Sequence, residues 1–338
     1  MSEGLKPFLL PLSRGETLSA EDAARAFTLI MTGGASHPQI AAFLMALRVR
    51  GETADEILGG ARVMRAQAVP VKVPADALDT CGTGGDGQNT LNISTAVALV
   101  IASLGVPVAK HGNRAASSRS GTADVLQRLG VNIELKPVAI ERCLAEARVC
   151  FMFAPLHHTA MKHVAPVRAE LGVPTIFNLL GPLSNPGGTK RQLLGVFAKK
   201  WTSVFASVLK QLGSERAWVV HGSDGLDEVT ITGTSHVAAL ENGAIREFTI
   251  APEDAGLPRA TLSDIRGGDP ENNAAALTAI LGGEANPYRD IVALNAAAAL
   301  VVAGKADDLK DGAAQALAAL GDGRARDTLA KLVKASNA

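Results

Sequence analysis

Apolar residues recur at helical spacing through the first 70 positions. Phe27, Ile30 and Met31 form one set, Ile40, Phe43, Leu44 and Leu47 a second, and Ile57, Ala61 and Met64 a third. Ser19-x-x-Asp22 and Thr53-x-x-Glu56 read as capping-box starts, and Ser36 ahead of Pro38 plays the same part. Gly33-Gly34 and Gly51 punctuate the gaps. The pattern predicts three short helices within 1–73. Three such helices bury little by themselves, so they need a partner surface. From about residue 74 short apolar runs, at 106–109, 192–197 and 217–220, alternate with helical stretches at 94–104, 122–129 and 201–212. That alternation predicts an α/β unit over 74–338 with a central, mainly parallel sheet. Around 227–240 and 245–250 the spacing suits antiparallel strands. Helices return at 273–281, 290–302 and 312–333.

Composition narrows the class. At 47% hydrophobic and 20% charged residues the 338-residue chain can build a sizeable core, as one large domain plus a smaller one. Lys plus Arg equals Asp plus Glu at 33 each, so no global field favours nucleic acid or an anionic membrane. Cys81, Cys143 and Cys150 make no CxxC pair and suggest neither zinc nor disulfides. The N-terminus lacks a basic segment followed by an apolar one, and the longest apolar stretch, 296–303, is too short to span a bilayer. The expectation is a soluble, cytoplasmic protein with no membrane or nucleic-acid partner.

Two segments carry chemistry. In 79–95 a short strand leads into Gly82, Gly84, Gly85 and Gly87, and a helix follows. Glycines let the backbone approach an anion, and free N–H groups with a helix N-terminus favour phosphate or pyrophosphate. Thr90, Asn92, Ser94 and Thr95 add side-chain donors. The plainer reading is a tight strand–helix turn with an Asn or Ser cap. No Gly-Lys-Ser/Thr follows, and the acidic partner of a dinucleotide fingerprint is not evident. In 110–124, after the strand at 106–109, cations, an imidazole, an amide and hydroxyls share one Gly-containing loop. Such strand ends are where open α/β sheets place ligands. The set suits a ribose phosphate, and a solvated polar loop before a capped helix is the plainer alternative.

GTGGDGxxTxNIST at 82–95 together with KHGNRxxSSxSGxAD at 110–124 resembles the anthranilate phosphoribosyltransferase family. MKHVAPVRxxLG at 161–172, TIFNLLGPLSNP at 175–186 and HGxDGxDE at 221–228 extend the likeness over essentially the whole chain. The resemblance implies a small helical domain, made of 1–73 and a later insertion near 165–190, beside a large α/β domain. That is a nucleoside-phosphorylase-like phosphoribosyltransferase fold, with its cleft between the two domains and a homodimer as the usual assembly. The implied reaction joins anthranilate to the ribose of phosphoribosyl pyrophosphate and expels pyrophosphate, with magnesium (Mg2+), in tryptophan biosynthesis.

Carried over residue by residue, the resemblance places Gly82, Gly85, Asp86 and Thr90 along the phosphoribosyl pyrophosphate site. Asn92, Ile93, Ser94 and Thr95 hold pyrophosphate at the helix start. Lys110, His111, Gly112, Asn113, Arg114, Ala115, Ala116, Ser117 and Ser118 wrap the ribose and phosphate. Thr122 stands where Ser is frequent and Leu91 where Phe is frequent. Asp227 and Glu228, with Ser94, are the implied magnesium ligands. An adjacent acidic pair is more often simply solvated, but hard oxygen donors suit magnesium bridging a leaving pyrophosphate. Arg168 and Asn113, beside Gly82, are the candidates for anthranilate, whose carboxylate calls for a planar bidentate cation. His111 is placed either against anthranilate or against the ribose. His157, His158 and His163 form a loop at the anthranilate entrance rather than a zinc cluster. An aniline nitrogen already carries a lone pair at neutral pH, so no residue is assigned as a general base. A nucleoside phosphorylase and a non-enzymatic nucleic-acid-binding relative are the alternatives. The first differs in the loop at 110–114; the second expects a basic surface, which the charge balance lacks.

Overall fold

A computed structural model describes residues 4–115 and 119–338. Four helices open the chain: α1 (Lys6–Ser13), α2 (Ala20–Met31), α3 (His37–Arg50) and α4 (Ala54–Ala66). The first, interrupted by Pro11, has no counterpart in the periodicity reading. Ser19 caps α2 by accepting from the Asp22 N–H, and Thr53 caps α4 by accepting from the Glu56 N–H. Glu56 is fully buried: it accepts from the N–H groups of Leu18 and Thr53 and pairs with Arg50, tying three helices together.

The α/β part follows the order β1 (Leu78–Gly82), α5 (Ile93–Ser103), β2 (Val108–Gly112), α6 (Thr122–Arg128), α7 (Pro137–Ala147) and β3 (Val149–Phe153). Short helices α8 (Ala154–His157), α9 (Ala165–Leu171) and α10 (Phe177–Leu180) lead to β4 (Arg191–Gly195), α11 (Trp201–Gln211) and β5 (Arg216–Gly222). Next come β6 (Ser235–Glu241), β7 (Ala244–Ile250), α12 (Pro270–Leu281), α13 (Pro287–Ala303), α14 (Leu309–Gly321) and α15 (Arg324–Ser336). The sheet runs β3-β2-β1-β4-β5-β6-β7, parallel through β5 and antiparallel at β6 and β7. The periodicity reading lacks α7 and β3. It starts the antiparallel run at 227, where the chain is still a turn, and it fuses α14 with α15, which Gly323 separates in a left-handed conformation.

Strand alternation sorts the core into two layers. Leu193, Trp218, Val220, Val237 and Ala239 face one cluster with α5, α7, α13, α14 and α15. Leu194, Ala217, Val219, Ala238 and Leu240 face the other, with α11, the helices of 20–66 and the segment 164–183. Burial on both faces explains why β3 reads as a continuous apolar run. The connection from β1 goes to β2 on one side, while β4 lies on the other. The resulting switch point opens a crevice at the carboxyl ends of β1 and β4. Among the described residues no helix is long and apolar enough to cross a membrane.

Candidate functional site

Gly82 and Gly195 end β1 and β4 as register partners. A Cβ on Gly82 would stand 2.3 Å from Asp227 Oδ2, and one on Gly195 would stand 1.5 Å from the Asp227 carbonyl oxygen. Only glycine at both strand ends lets the acidic turn lie against the sheet. Beyond Gly82 the chain turns through Gly84, Gly85 and Gly87 at φ of 64°, 78° and 72°, which favour glycine. The Gly84 N–H donates to Asp227 Oδ2 at 2.7 Å, and Gln88 Nε2 donates to the Asp224 carbonyl at 3.0 Å. Asp86 Oδ1 accepts from the Gln88 N–H at 3.1 Å. The glycine loop and the turn at 224–228, 143 positions apart at the first contact, are thus fastened together.

The start of α5 is heavily engaged. Asn92 Oδ1 accepts from Asn273 Nδ2 at 2.9 Å, and its carbonyl accepts from the Tyr288 hydroxyl at 3.0 Å. Thr90 forms an isolated antiparallel bridge with Arg266. Ile93 and Thr95 are buried, and the Thr95 hydroxyl donates to the Thr122 hydroxyl at 3.3 Å. The Ser94 N–H faces the Glu228 carboxylate and favours its ionised form. Ser94 Oγ accepts from Lys110 Nζ at 3.2 Å.

Lys110, on β2, is buried and also donates to the Thr80 carbonyl. Burial lowers the pKa of its ammonium, while Asp79, Cys81 and Glu228 hold it up. Asp79 is fully buried beneath the loop. Its Oδ1 accepts from the His111 N–H at 3.2 Å and its Oδ2 from Asn185 Nδ2 at 2.7 Å, and Asn185 Nδ2 also reaches the Ala109 carbonyl at 2.9 Å. Burial pushes Asp79 up to about 6 against the pull of Lys110 and these bonds. Past β2, Gly112 needs the space that Phe151 would deny a Cβ at 2.9 Å. Arg114 pairs with Asp124 at 2.8 Å, and Asp124 also accepts from the N–H groups of Ala115 and Gly121. Ala116, Ser117 and Ser118 lie outside the described residues.

Burial and mutual repulsion dominate the acidic pair. Desolvation first, then the nearby Asp86, raises Asp227 to about 7; desolvation first, then Asp227, raises Glu228 to about 8. Two crowded oxygen donors, raised by burial in spite of the nearby Lys110, fit a divalent ion. Magnesium in particular needs only one or two protein carboxylates beside phosphate oxygens and water. Among the described residues no group of three or more His, Cys, Asp and Glu side chains encloses a metal. The triple His157, His158 and His163 therefore gives no zinc cage.

The other wall is made of short helices. Arg168, on α9, donates to Asn178 Oδ1 at 3.2 Å and lies over the Phe177 ring at 5.6 Å. Asn178 Oδ1 also accepts from the Thr175 N–H at 3.0 Å. His111 and His158 meet through their Nε2 atoms at 3.2 Å, one donating and one accepting. Burial first, then the neighbouring imidazole, puts His111 well below its ordinary value, and burial brings His158 to about 4. Both are neutral at physiological pH. His157 turns away to the Val69 carbonyl at 2.9 Å, and the His163 ring would meet a Cβ on Gly33 at 3.0 Å. Asn113 is exposed, and its Oδ1 accepts from the Arg114 N–H at 2.8 Å. Two cavities, of 290 and 320 Å³, lie elsewhere. One is lined by Arg216, Trp218 and Arg246 at the far end of the sheet, and the other lies between α3 and α9.

The structure thus packs Gly82, Ser94, Lys110, Asp227 and Glu228 into one cluster at the strand ends. Asp79, Asn185, Asn273, Tyr288 and Asn295, which support it, escape sequence reasoning. For Asn295 alone a local signal exists, a polar side chain inside an apolar run.

The description "Glycosyl transferase family, helical bundle domain" matches residues 6–68, and "Glycosyl transferase family, a/b domain" matches residues 74–326. The anthranilate phosphoribosyltransferase of Methylocella silvestris is 60% identical over 335 residues, 99% of this chain and 96% of that relative. The crystal structure of anthranilate phosphoribosyltransferase from Thermus thermophilus is similar at a TM-score of 0.92 and 45% identity, covering 98% of this chain and 99% of that one. The Saccharomyces cerevisiae enzyme in complex with phosphoribosyl pyrophosphate and magnesium is similar at 0.89 and 28% identity, covering 98% of each chain.

Proposed function

The chain belongs to the anthranilate phosphoribosyltransferase family, and on that premise we propose how its residues carry out the transfer. The enzyme moves the phosphoribosyl group of phosphoribosyl pyrophosphate to anthranilate, giving N-(5-phosphoribosyl)anthranilate and pyrophosphate in tryptophan biosynthesis. The observation that carries this reading is the cluster at the ends of β1 and β4, where the glycine loop is bonded to Asp227 and Lys110, close by, donates to Thr80 and Ser94. The test is the loss of anthranilate fluorescence when phosphoribosyl pyrophosphate and magnesium are added. No loss, together with phosphorolysis of thymidine, would transfer the chain to the nucleoside phosphorylases.

In the reaction the anthranilate nitrogen forms a bond to the anomeric carbon, the bond from that carbon to pyrophosphate breaks, and the amine sheds a proton. Gly82, Gly85, Asp86 and Thr90, the start of α5 and the loop from Lys110 onward bind the donor. Asp227 and Glu228, with Ser94, hold magnesium, as the chemistry of two crowded carboxylates supports. When bound, the ion supplies a Lewis acid for the departing pyrophosphate charge. Lys110 and the loop N–H groups add fixed positive charge in a partly dry setting. Arg168 pairs with the anthranilate carboxylate, and the cleft aligns the amine by proximity. The neutral His111–His158 pair suits a wall for an aromatic ring and takes no proton from the amine.

Residues 1–73 with the segment near 165–190 form the helical domain, 74–338 the α/β domain, and two copies form a homodimer in the cytoplasm. Leu10 on α1 and Val49 on α3 are 58% and 80% exposed, which supports an interface on that side. Light scattering at micromolar concentration is expected to give the dimer mass; a stable monomer would remove the assembly from this reading.

A further inference from the structure

Helix α13 is a run of Ala, Leu, Val and Ile buried between the sheet, α5 and α14, and a polar group in such a run needs a reason. Asn295 is fully buried there. Its Oδ1 accepts from the Val229 N–H at 2.9 Å, and its Nδ2 donates to the Val229 carbonyl at 2.8 Å and to the Ile291 carbonyl at 2.9 Å. The side chain therefore pairs with both peptide groups of Val229, as a neighbouring strand would, at the residue that follows Glu228. Seven positions earlier, on the same helix face, the buried Tyr288 hydroxyl donates to the Asn92 carbonyl at 3.0 Å, where α5 begins.

We propose that Asn295 and Tyr288 are positioning residues. They make α13 a rigid bar that fixes the acidic turn and the start of α5 at one separation, about 10 Å of helix apart along its axis. Neither residue touches substrate. Asn295 acts through Val229 on Glu228, and Tyr288 acts through Asn92 on the α5 N-terminus, whose Ser94 N–H faces the Glu228 carboxylate. The two anchors close a ring from α13 to the acidic turn, to α5 and back. An apolar residue at either position would pack and leave the turn free to shift. The inference rests on reading Asp227, Glu228 and the α5 start as the donor site.

The test uses the full chain with Asn295→Ala, Tyr288→Phe and, as a packing control on the same helix, Leu300→Ala. Three quantities are read: phosphoribosyl pyrophosphate binding with magnesium but without anthranilate, by calorimetry; hydrogen exchange of the Val229 amide; and the thermal midpoint. Asn295→Ala is expected to weaken binding about tenfold or more and to speed Val229 exchange. Tyr288→Phe is expected to weaken binding by roughly threefold to tenfold with little loss of midpoint. Leu300→Ala is expected to lower the midpoint and leave binding unchanged. Binding equally weakened by Leu300→Ala, or unchanged in a folded Asn295→Ala, overturns the proposal. If Asn295→Ala does not fold, wild-type binding by Tyr288→Phe overturns it. Glu228→Gln separates the two levels. If it leaves binding and turnover intact, the donor-site reading itself falls; if it abolishes them while Tyr288→Phe and Asn295→Ala behave as wild type, only the positioning role falls.

Discussion

The proposed donor wall and the proposed acceptor wall are built from different material. The donor wall is backbone: two glycines at paired strand ends, three more at positive φ, and an acidic turn seated where a Cβ would collide. Burial raises Glu228 to about 8 and Asp227 to about 7 and lowers Lys110. The proposed acceptor wall is side chains: Arg168 on α9 over a phenyl ring, and His158 paired with His111 from β2. The difference matches the two halves of the reaction. Charge develops on the leaving pyrophosphate, which needs preorganised electrostatics. The amine needs only a fixed place.

The largest effect should follow from disarming the donor wall. Asp227→Asn with Glu228→Gln is expected to cut turnover by roughly two to three orders of magnitude and to raise the magnesium concentration needed for half-maximal rate. Steady-state rates across a magnesium titration check it. An unchanged titration would mean that the walls do not differ in the way described.

Asp79 tests whether the effect of burial extends beneath the donor wall. An unfolded aspartate titrates near 3.9, and in the fold burial raises Asp79 to about 6. Between these values the native state binds more protons than the unfolded one, so stability falls as pH rises from about 4 to 6 and the loss is complete above that. The size is at most about 3 kcal/mol, two pKa units at 1.36 kcal/mol each. Urea unfolding from pH 4 to 7 should show this fall in wild type and a flatter profile in Asp79→Asn. Parallel profiles would remove the buried carboxylate as its source.

On the proposed acceptor wall Arg168 is the cation assigned to charge recognition. Arg168→Ala is expected to cost roughly 1.5–3 kcal/mol, on the order of ten- to over a hundredfold, in the Michaelis constant for anthranilate, with phosphoribosyl pyrophosphate little changed. Separate titration of each substrate decides it. Equal weakening of both would show that Arg168 supports the whole cleft rather than one wall.

How much of this was legible depends on which wall is read. The glycine loop, Lys110 and Asp227–Glu228 stand out because unusual backbone and clustered charge leave dense local motifs. The layered sheet was legible from alternating strands and helices, and Ser19 and Thr53 from their capping chemistry. Helix α1 was not, because Pro11 interrupts its pattern. The strand Val149–Phe153 was not, because burial on both faces erases its period. Asn295, Asn273 and Asn185 were invisible for a related reason. Each acts through a partner at least 66 positions away, and its immediate neighbours carry no sign of what it meets. His158 was read as part of a loop of histidines, and only the fold shows that its partner is His111 and not its sequence neighbours.

The smallest effect should come from Asn113, the second acceptor candidate. Its Oδ1 is already committed to the Arg114 N–H at 2.8 Å, so only the Nδ2 group is left to meet anthranilate. A neutral donor contributes about 1 kcal/mol, against roughly twice that for a bond to a charged group. Asn113 is also exposed, which lets water replace the contact. Asn113→Ala is therefore expected to raise the Michaelis constant for anthranilate about fivefold, well below the change for Arg168→Ala. Removing its bond to Arg114 also loosens the loop that wraps the ribose, so a small rise for phosphoribosyl pyrophosphate should accompany it. Arg168→Ala should show no such second effect, because Arg168 bonds Asn178 on the opposite wall. Titrating both substrates against both variants reads the contrast directly. A larger anthranilate defect in Asn113→Ala than in Arg168→Ala would move carboxylate recognition onto the loop after β2 and make that loop, rather than α9, the acceptor wall.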